Sequence, residues 1–244
     1  MKTTKCCFFP ILLLVSIFLC SCIPAGPGMG TRTVGQQTSA GGELSNSEIR
    51  SGLKEALMVG TVNAVLNVSK KDGYFGREAI KILLPSSIQQ YEQPLRAVGF
   101  GSQIDAFILS MNRAAEKAAP AAKDLFLDAI RQMTFADAKE ILFGADDAAT
   151  QYFKAKTQDK LFSAFKPTIS SSMSEVGVTR QFQNLSTKLQ VVSLGQFQVP
   201  NLDDYVTNLA IDGLFYMVAQ EEMKIRENPA ARVTAILQRV FGSR

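Results

Sequence analysis

The chain has 244 residues, 46% of them hydrophobic and 20% charged, which is enough for one folded domain with a sizeable core and too apolar for a disordered chain. Its net charge of +4 comes from 26 basic and 22 acidic residues, without a block of five like charges, which argues against a nucleic-acid partner. Histidine and tryptophan are absent, so a Ser-His-Asp triad, a Cys-His pair and an imidazole metal site are excluded.

Lys2 and Lys5 open the chain, and Phe8 to Leu19 is almost wholly apolar. A basic start followed by about 12 apolar residues has the form of an export signal and is short of the ~20 a membrane-spanning helix needs. The segment ends in Leu19-Cys20-Ser21-Cys22, which resembles the bacterial lipobox. That resemblance implies removal of residues 1–21 and lipidation of Cys22; a plain signal peptide cut near Ala25 or Gly26 is the alternative. The cysteines are Cys6, Cys7, Cys20 and Cys22, so the exported domain would keep no thiol for a disulfide, a nucleophile or a metal. Residues 22–43 are rich in Gly, Pro, Ser, Thr and Gln and read as a flexible tether with a reach of roughly 25 Å. Among lipoproteins sorted by the residue after the cysteine, Ile23 in place of Asp implies delivery to the outer membrane.

From residue 44 to the end, apolar residues recur every three or four positions. Ser45 or Ser47 can cap a first helix with Leu53, Ala56, Leu57 and Gly60 on one face, ending near Ser69 before the Lys70-Lys71-Asp72-Gly73 turn. A short helical piece is expected from Glu78 to Leu84, ended by Pro85, and then a helix capped by Ser86 or Ser87 that runs to Gly99. The clearest stripe is Ile104, Phe107, Ile108, Met111, Ala114, Ala115 and Ala118. Pro120 should break or kink it, and it resumes with Ala122, Leu125, Phe126, Ala129, Ile130 and Met133. Thr134 and Asp137 form a capping box for Phe135 to Phe143, with Gly144 fitting the position after the helix. Asp146 or Asp147 can cap a helix that carries Tyr152 and Phe153 and ends before Pro167. Val178, Phe182, Leu185 and Leu189 mark another helix, and Ser193 to Pro200 reads as a loop. Asn201 can cap a long helix from Leu202 to Arg226, and Asn228-Pro229 opens a last one with Val233, Leu237, Val240 and Phe241.

Only residues 188–199 have strand-like composition, and one strand makes no sheet. The expectation is therefore an all-α, single compact domain over residues 44–244, with about eight or nine helices and no repeat of solenoid length. Several strings together resemble the domain of unknown function 4197 family, found in bacterial envelope proteins. They include Gly52 to Leu57, Asp72 to Phe75, Ile80 to Pro85, Met111 to Glu116, Asp128 to Ile130, Ala148 to Thr150 and Asp212 to Phe215. The resemblance covers roughly Leu44 to Phe241 and implies an export signal and a helical domain; the family supplies no established activity to carry over.

Two polar clusters stand out as candidate sites. Asn112, Arg113 and Glu116 share one helix face, with Asp105 two turns before, and could either line a cleft or form a solvated face with local ion pairs. Asp212 lies among Leu209, Ala210, Ile211, Gly213, Leu214 and Phe215, and reads as a buried carboxylate. It would be either a shifted acid in a pocket or a structural partner of an arginine such as Arg113. Asp146-Asp147 and Asp203-Asp204 read as helix-terminal acids rather than metal ligands. No phosphate loop, nucleophile elbow or metal site is supported, so no cofactor is expected. Two functions remain open. One is a non-catalytic lipoprotein, membrane-bound through its N-terminal lipid and facing the periplasm, that binds an envelope protein or an apolar ligand. The other is a carboxylate hydrolase of an envelope glycan, with Asp212 and Glu116 as its pair.

Overall fold

The computed structural model describes residues 45–175, 186 and 201–227. The chain divides into Met1–Gly42 and Glu43–Arg244, and every described residue belongs to the second unit. The leader, Cys22, the tether, the expected helix around Val178–Leu189, the loop before Pro200 and the last helix after Asn228 lie outside the described residues.

Helix α1 spans Asn46–Ser69 and opens on a full capping box, with the Ser45 hydroxyl accepting from the Glu48 amide and the Glu48 carboxylate accepting from the Ser45 amide. It stops where Asp72 takes a left-handed φ of 62° and Gly73 turns back so tightly that a Cβ there would lie 2.3 Å from the Val68 carbonyl oxygen. Next come α2 (Ser86–Leu95), a wide turn (Arg96–Phe100), α3 (Gly101–Ala118), a 3₁₀ turn (Ala119–Ala121) and α4 (Ala122–Gln132). Then follow α5 (Phe135–Phe143), α6 (Ala148–Glu175) and α7 (Leu202–Glu227).

The described residues are all-helical, as expected, but in uninterrupted runs they hold five helices rather than eight or nine. Ser86 to Gln132 is one kinked run, because Gly99 absorbs the bend between α2 and α3 with a φ of 93° and Pro120 sits inside a 3₁₀ turn that hands the chain on to α4. Pro167 does not end α6 either; Ile169 and Met173, beyond it, are buried and hold the helix to the core. The expected helical piece Glu78–Leu84 is instead a turn that ends on the buried Ile80, followed by extended chain in which Ile82 and Leu84 point inward and Leu83 outward. Pro85 disfavours helix at Leu84, and Ser86 and Ser87 lie within the first turn rather than capping it. Gly144 follows α5 directly, as expected, in an extended conformation.

The core is built by α7 packing between α1 and α6, with α3 and α4 closing over α6 and with α4 and α5 also resting on α1. Every member of the α3 stripe from Ile104 to Ala118 is buried. At the centre, the Phe126 ring meets Phe153 edge-on at 5.2 Å and Phe215 at 6.1 Å.

Candidate functional site

The cluster on α3 keeps the expected local ion pair between Arg113 and Glu116, but Asn112 and Glu116 are buried rather than solvated. Asn112 is fully buried because the extended segment before α2 lies across it. Its Oδ1 accepts the Ile82 amide at 2.9 Å, and its Nδ2 donates to the Ile82 and Ile108 carbonyls at 2.8 Å each. One side chain thus plays the part of a neighbouring strand for Ile82 and satisfies backbone groups that burial would otherwise leave unpaired.

Glu116, one turn on, reaches the turn after α1. Its Oε1 accepts the Tyr74 and Phe75 amides at 3.1 and 3.2 Å, and its Oε2 accepts Arg113 at 2.6 Å. Arg113 also bonds Asp72 at 2.7 Å, and its guanidinium and the Lys81 ammonium flank the Phe75 ring. The bond to Glu116, with help from Asp72, holds Arg113 more firmly charged than an ordinary arginine. Tyr74 is buried beside this group, and burial first, then the Glu116 charge, raises its phenol well above the usual range. Its hydroxyl donates to the Ala210 carbonyl on α7 at 2.6 Å.

Asp105 does not join the cluster. Although its neighbour Ile104 is buried, Asp105 stays exposed and bonds Arg96 of the wide turn at 2.6 Å. That hydrogen bond holds the Asp105 carboxyl below its ordinary value and the Arg96 guanidinium above its own. Asp212 overturns the expectation of a buried acid: it faces solvent, and the buried neighbour is Gly213. A Cβ at Gly213 would lie 2.7 Å from the Tyr74 ring, so this glycine admits the tyrosine rather than another helix. Arg113 is engaged by Glu116 and Asp72, not by Asp212, and Glu116 is buried and bonded, so the pair needed for a carboxylate hydrolase shares no open cleft.

A second buried carboxylate escaped the sequence reading. Glu222 on α7 accepts the Ala149 and Thr150 amides at 3.0 and 2.9 Å, the Thr150 hydroxyl at 2.8 Å and Arg226 at 2.8 Å. It satisfies the first turn of α6, the role assigned to Asp146 or Asp147, which lie in the preceding turn. Arg226 passes the link on to the Ile141 carbonyl at the end of α5. The signal was present: Glu222 continues the spacing Ile211, Phe215, Val218 of the buried stripe and precedes Ile225. At the other end of α7, Asn201 does cap the helix, accepting the Asp204 amide at 3.2 Å, while Asp203 and Asp204 bond Ser170 and Lys166.

The two glutamates share one design. Each offers its carboxylate to two successive backbone amides of another segment and is matched by an arginine three or four residues away on its own helix. Paired amides of this kind can receive an anion; here an internal carboxylate already fills each pair. Among the described residues no group of three His, Cys, Asp or Glu side chains is placed to hold a metal, and no helix is long and apolar enough to cross a membrane.

A family model described as Protein of unknown function (DUF4197) matches residues 43–242. Comparison with the curated proteins returned no match, and neither did comparison with the solved structures.

Proposed function

This chain belongs to the DUF4197 family of proteins of unknown function, and on that premise we propose that it is a lipid-anchored envelope protein whose helical domain binds rather than catalyses. Cys22 carries the lipid, residues 22–43 form the tether, and the domain faces the periplasm from the outer membrane, where it holds an envelope protein or an apolar ligand. The observation that carries the non-catalytic part is the use made of the acids. Glu116 and Glu222 are buried and bonded to backbone amides and arginines, so neither is placed to take up or release a proton at a substrate. The anchor rests on the Leu19-Cys20-Ser21-Cys22 string and the apolar run before it.

The test is metabolic labelling with palmitate followed by separation of inner and outer membranes. Label in the wild-type chain, its loss in Cys22→Ala, and recovery in the outer-membrane fraction are expected. A mature N-terminus at Ala25 or beyond would overturn the anchor. Release of soluble sugars from purified envelope glycan by the domain, abolished by Asp212→Asn, would overturn the non-catalytic reading.

A further inference from the structure

Between Glu55 and Lys70 helix α1 carries no charged residue, although its outer face reaches the surface: Met58 is 44% and Leu66 62% exposed, with half-buried Val59 and Val62 between them. A helix at a protein surface normally turns charged side chains outward. At steps of three and four, Glu55, Met58, Val59, Val62 and Leu66 fall on one side of α1, opposite the buried Leu53, Leu57, Gly60 and Ala64.

The two ends of this strip are opposite in charge. Lys54 is drawn away to the Arg131 carbonyl at 3.0 Å, and no cation among the described residues bonds Glu55. At the other end Lys70 and Lys71 are exposed, and the Lys70 ammonium makes one long bond, to Asn67 Oδ1 at 3.3 Å. An apolar strip with an acid at one end and bases at the other is complementary to itself when turned end for end. A two-fold axis beside Val62 sets each Met58 against the partner's Leu66, Val62 against the partner's Val62, and each Glu55 beside the partner's Lys70. The parallel arrangement in register would bring Glu55 to Glu55 and Lys70 to Lys70, where like charges repel. From Glu55 to Lys70 is about 22 Å of helix at 1.5 Å per residue, a contact at the small end of specific interfaces.

We propose that the outer face of α1 is the interface of a symmetric, antiparallel dimer of this chain, with apolar side chains at its centre and a Glu55–Lys70 ion pair at each end. The apolar centre carries the affinity, and the exposed ion pairs add little strength but fix the orientation. An interface of this size makes a weak dimer, half formed at about 10–100 µM chain. It does not depend on a lipid at Cys22.

The test uses residues 22–244 with Cys22→Ala, which keep the whole Glu43–Arg244 unit and carry neither lipid nor thiol, so the outcome is separate from that of the anchor. Sedimentation across a concentration series should show the monomer passing to a dimer. Leu66→Glu changes an exposed side chain, so its melting curve at low concentration should match wild type, while its dimer should be at least ~10 times weaker. Glu55→Lys should weaken the dimer at least ~3 times, and Lys70→Glu added to it should restore the affinity, because the reversed pair attracts only in antiparallel order. A chain still monomeric at ~1 mM would leave the strip to a different occupant and overturn the proposal. A dimer that Leu66→Glu leaves intact uses another surface and overturns it equally. A double variant no tighter than Glu55→Lys alone overturns the antiparallel arrangement.

Discussion

Replacing Asn112 by Asp changes one atom group and almost no volume, which makes it a sharp probe of the Ile82 clamp. The new carboxyl can still accept the Ile82 amide through the oxygen that does so now, at 2.9 Å. Its second oxygen would face the Ile82 and Ile108 carbonyls, both at 2.8 Å from the present nitrogen, so a charge there is repelled and buried without a partner. Protonation relieves this, because the hydroxyl can donate to one carbonyl. The folded chain then holds a proton that the unfolded chain, with a carboxyl near ~3.9, releases. The sign follows: the folded value is raised, so stability is retained at low pH and lost as pH rises towards the folded value. The penalty grows by about 1.4 kcal/mol per pH unit, which gives roughly 1.5 kcal/mol at pH 5 and roughly 4 kcal/mol at pH 7. At about 2–4 °C per kcal/mol for a domain of this size, the melting temperature should fall by about 3–6 °C at pH 5 and by about 8–16 °C at pH 7. Asn112→Ala removes both halves of the clamp, and its loss of about 2–5 kcal/mol should not depend on pH. Calorimetry or circular dichroism melts of both variants across that range decide the matter. A difference from wild type of under 2 °C, or the same difference at both pH values for Asn112→Asp, would refute the reasoning.

Glu222→Gln should cost about 3–5 kcal/mol, because Arg226 loses its buried counter-charge and an amide nitrogen must face another donor; Arg226→Met added to it should recover part of the loss in urea titrations. A Glu222→Gln chain as stable as wild type would contradict the buried-pair description. Gly213→Ala should cost about 1–3 kcal/mol, because the new methyl lies 2.7 Å from the Tyr74 ring and 3.1 Å from Ile80 Cβ. The neighbouring Asp212→Asn should leave the melting temperature unmoved, and the reverse order would place Asp212 in the core after all. Tyr74→Phe loses the bond to the Ala210 carbonyl, about 1 kcal/mol at pH 8. Because burial raises the folded phenol, wild-type stability should fall above about pH 10, where the unfolded tyrosine ionises, and the gap between wild type and Tyr74→Phe should close in urea melts at pH 11.

What the sequence revealed and what it hid follow physical lines. The starts of α1, α5 and α7 were legible because Ser45, Thr134 and Asn201 each act on the amide three residues on, which is information contained in a short string. The α3 stripe was legible because seven apolar side chains repeat with the helix period. Ile80 to Leu84 misled because its helix-compatible residues are held extended by Asn112, thirty positions away, through bonds that leave no local mark. The polar cluster on α3 reads as solvated for the same reason: nothing in its own string shows that Ile82, Tyr74 and Phe75 lie on it. Asp212 failed in the opposite direction, since apolar neighbours on either side along the chain do not fix which way a helical residue points, and it was Gly213 that faced inward. Glu222 escaped notice because its partners, Ala149 and Thr150, come from another helix.

The pairing of α1 with α7 also sets an order in time. Helix α1 is made well before α7, and Asn63 finds Glu221 158 positions later. At ordinary rates of synthesis that is a wait of about 10–30 s, during which α1 can meet α4 and α5 but the side of it at Gly60 and Asn63 lacks its partner. Closure of this seam waits for α7, and shortening the chain inside α7 should leave Gly60 and Asn63 of α1 without the side chains they now face.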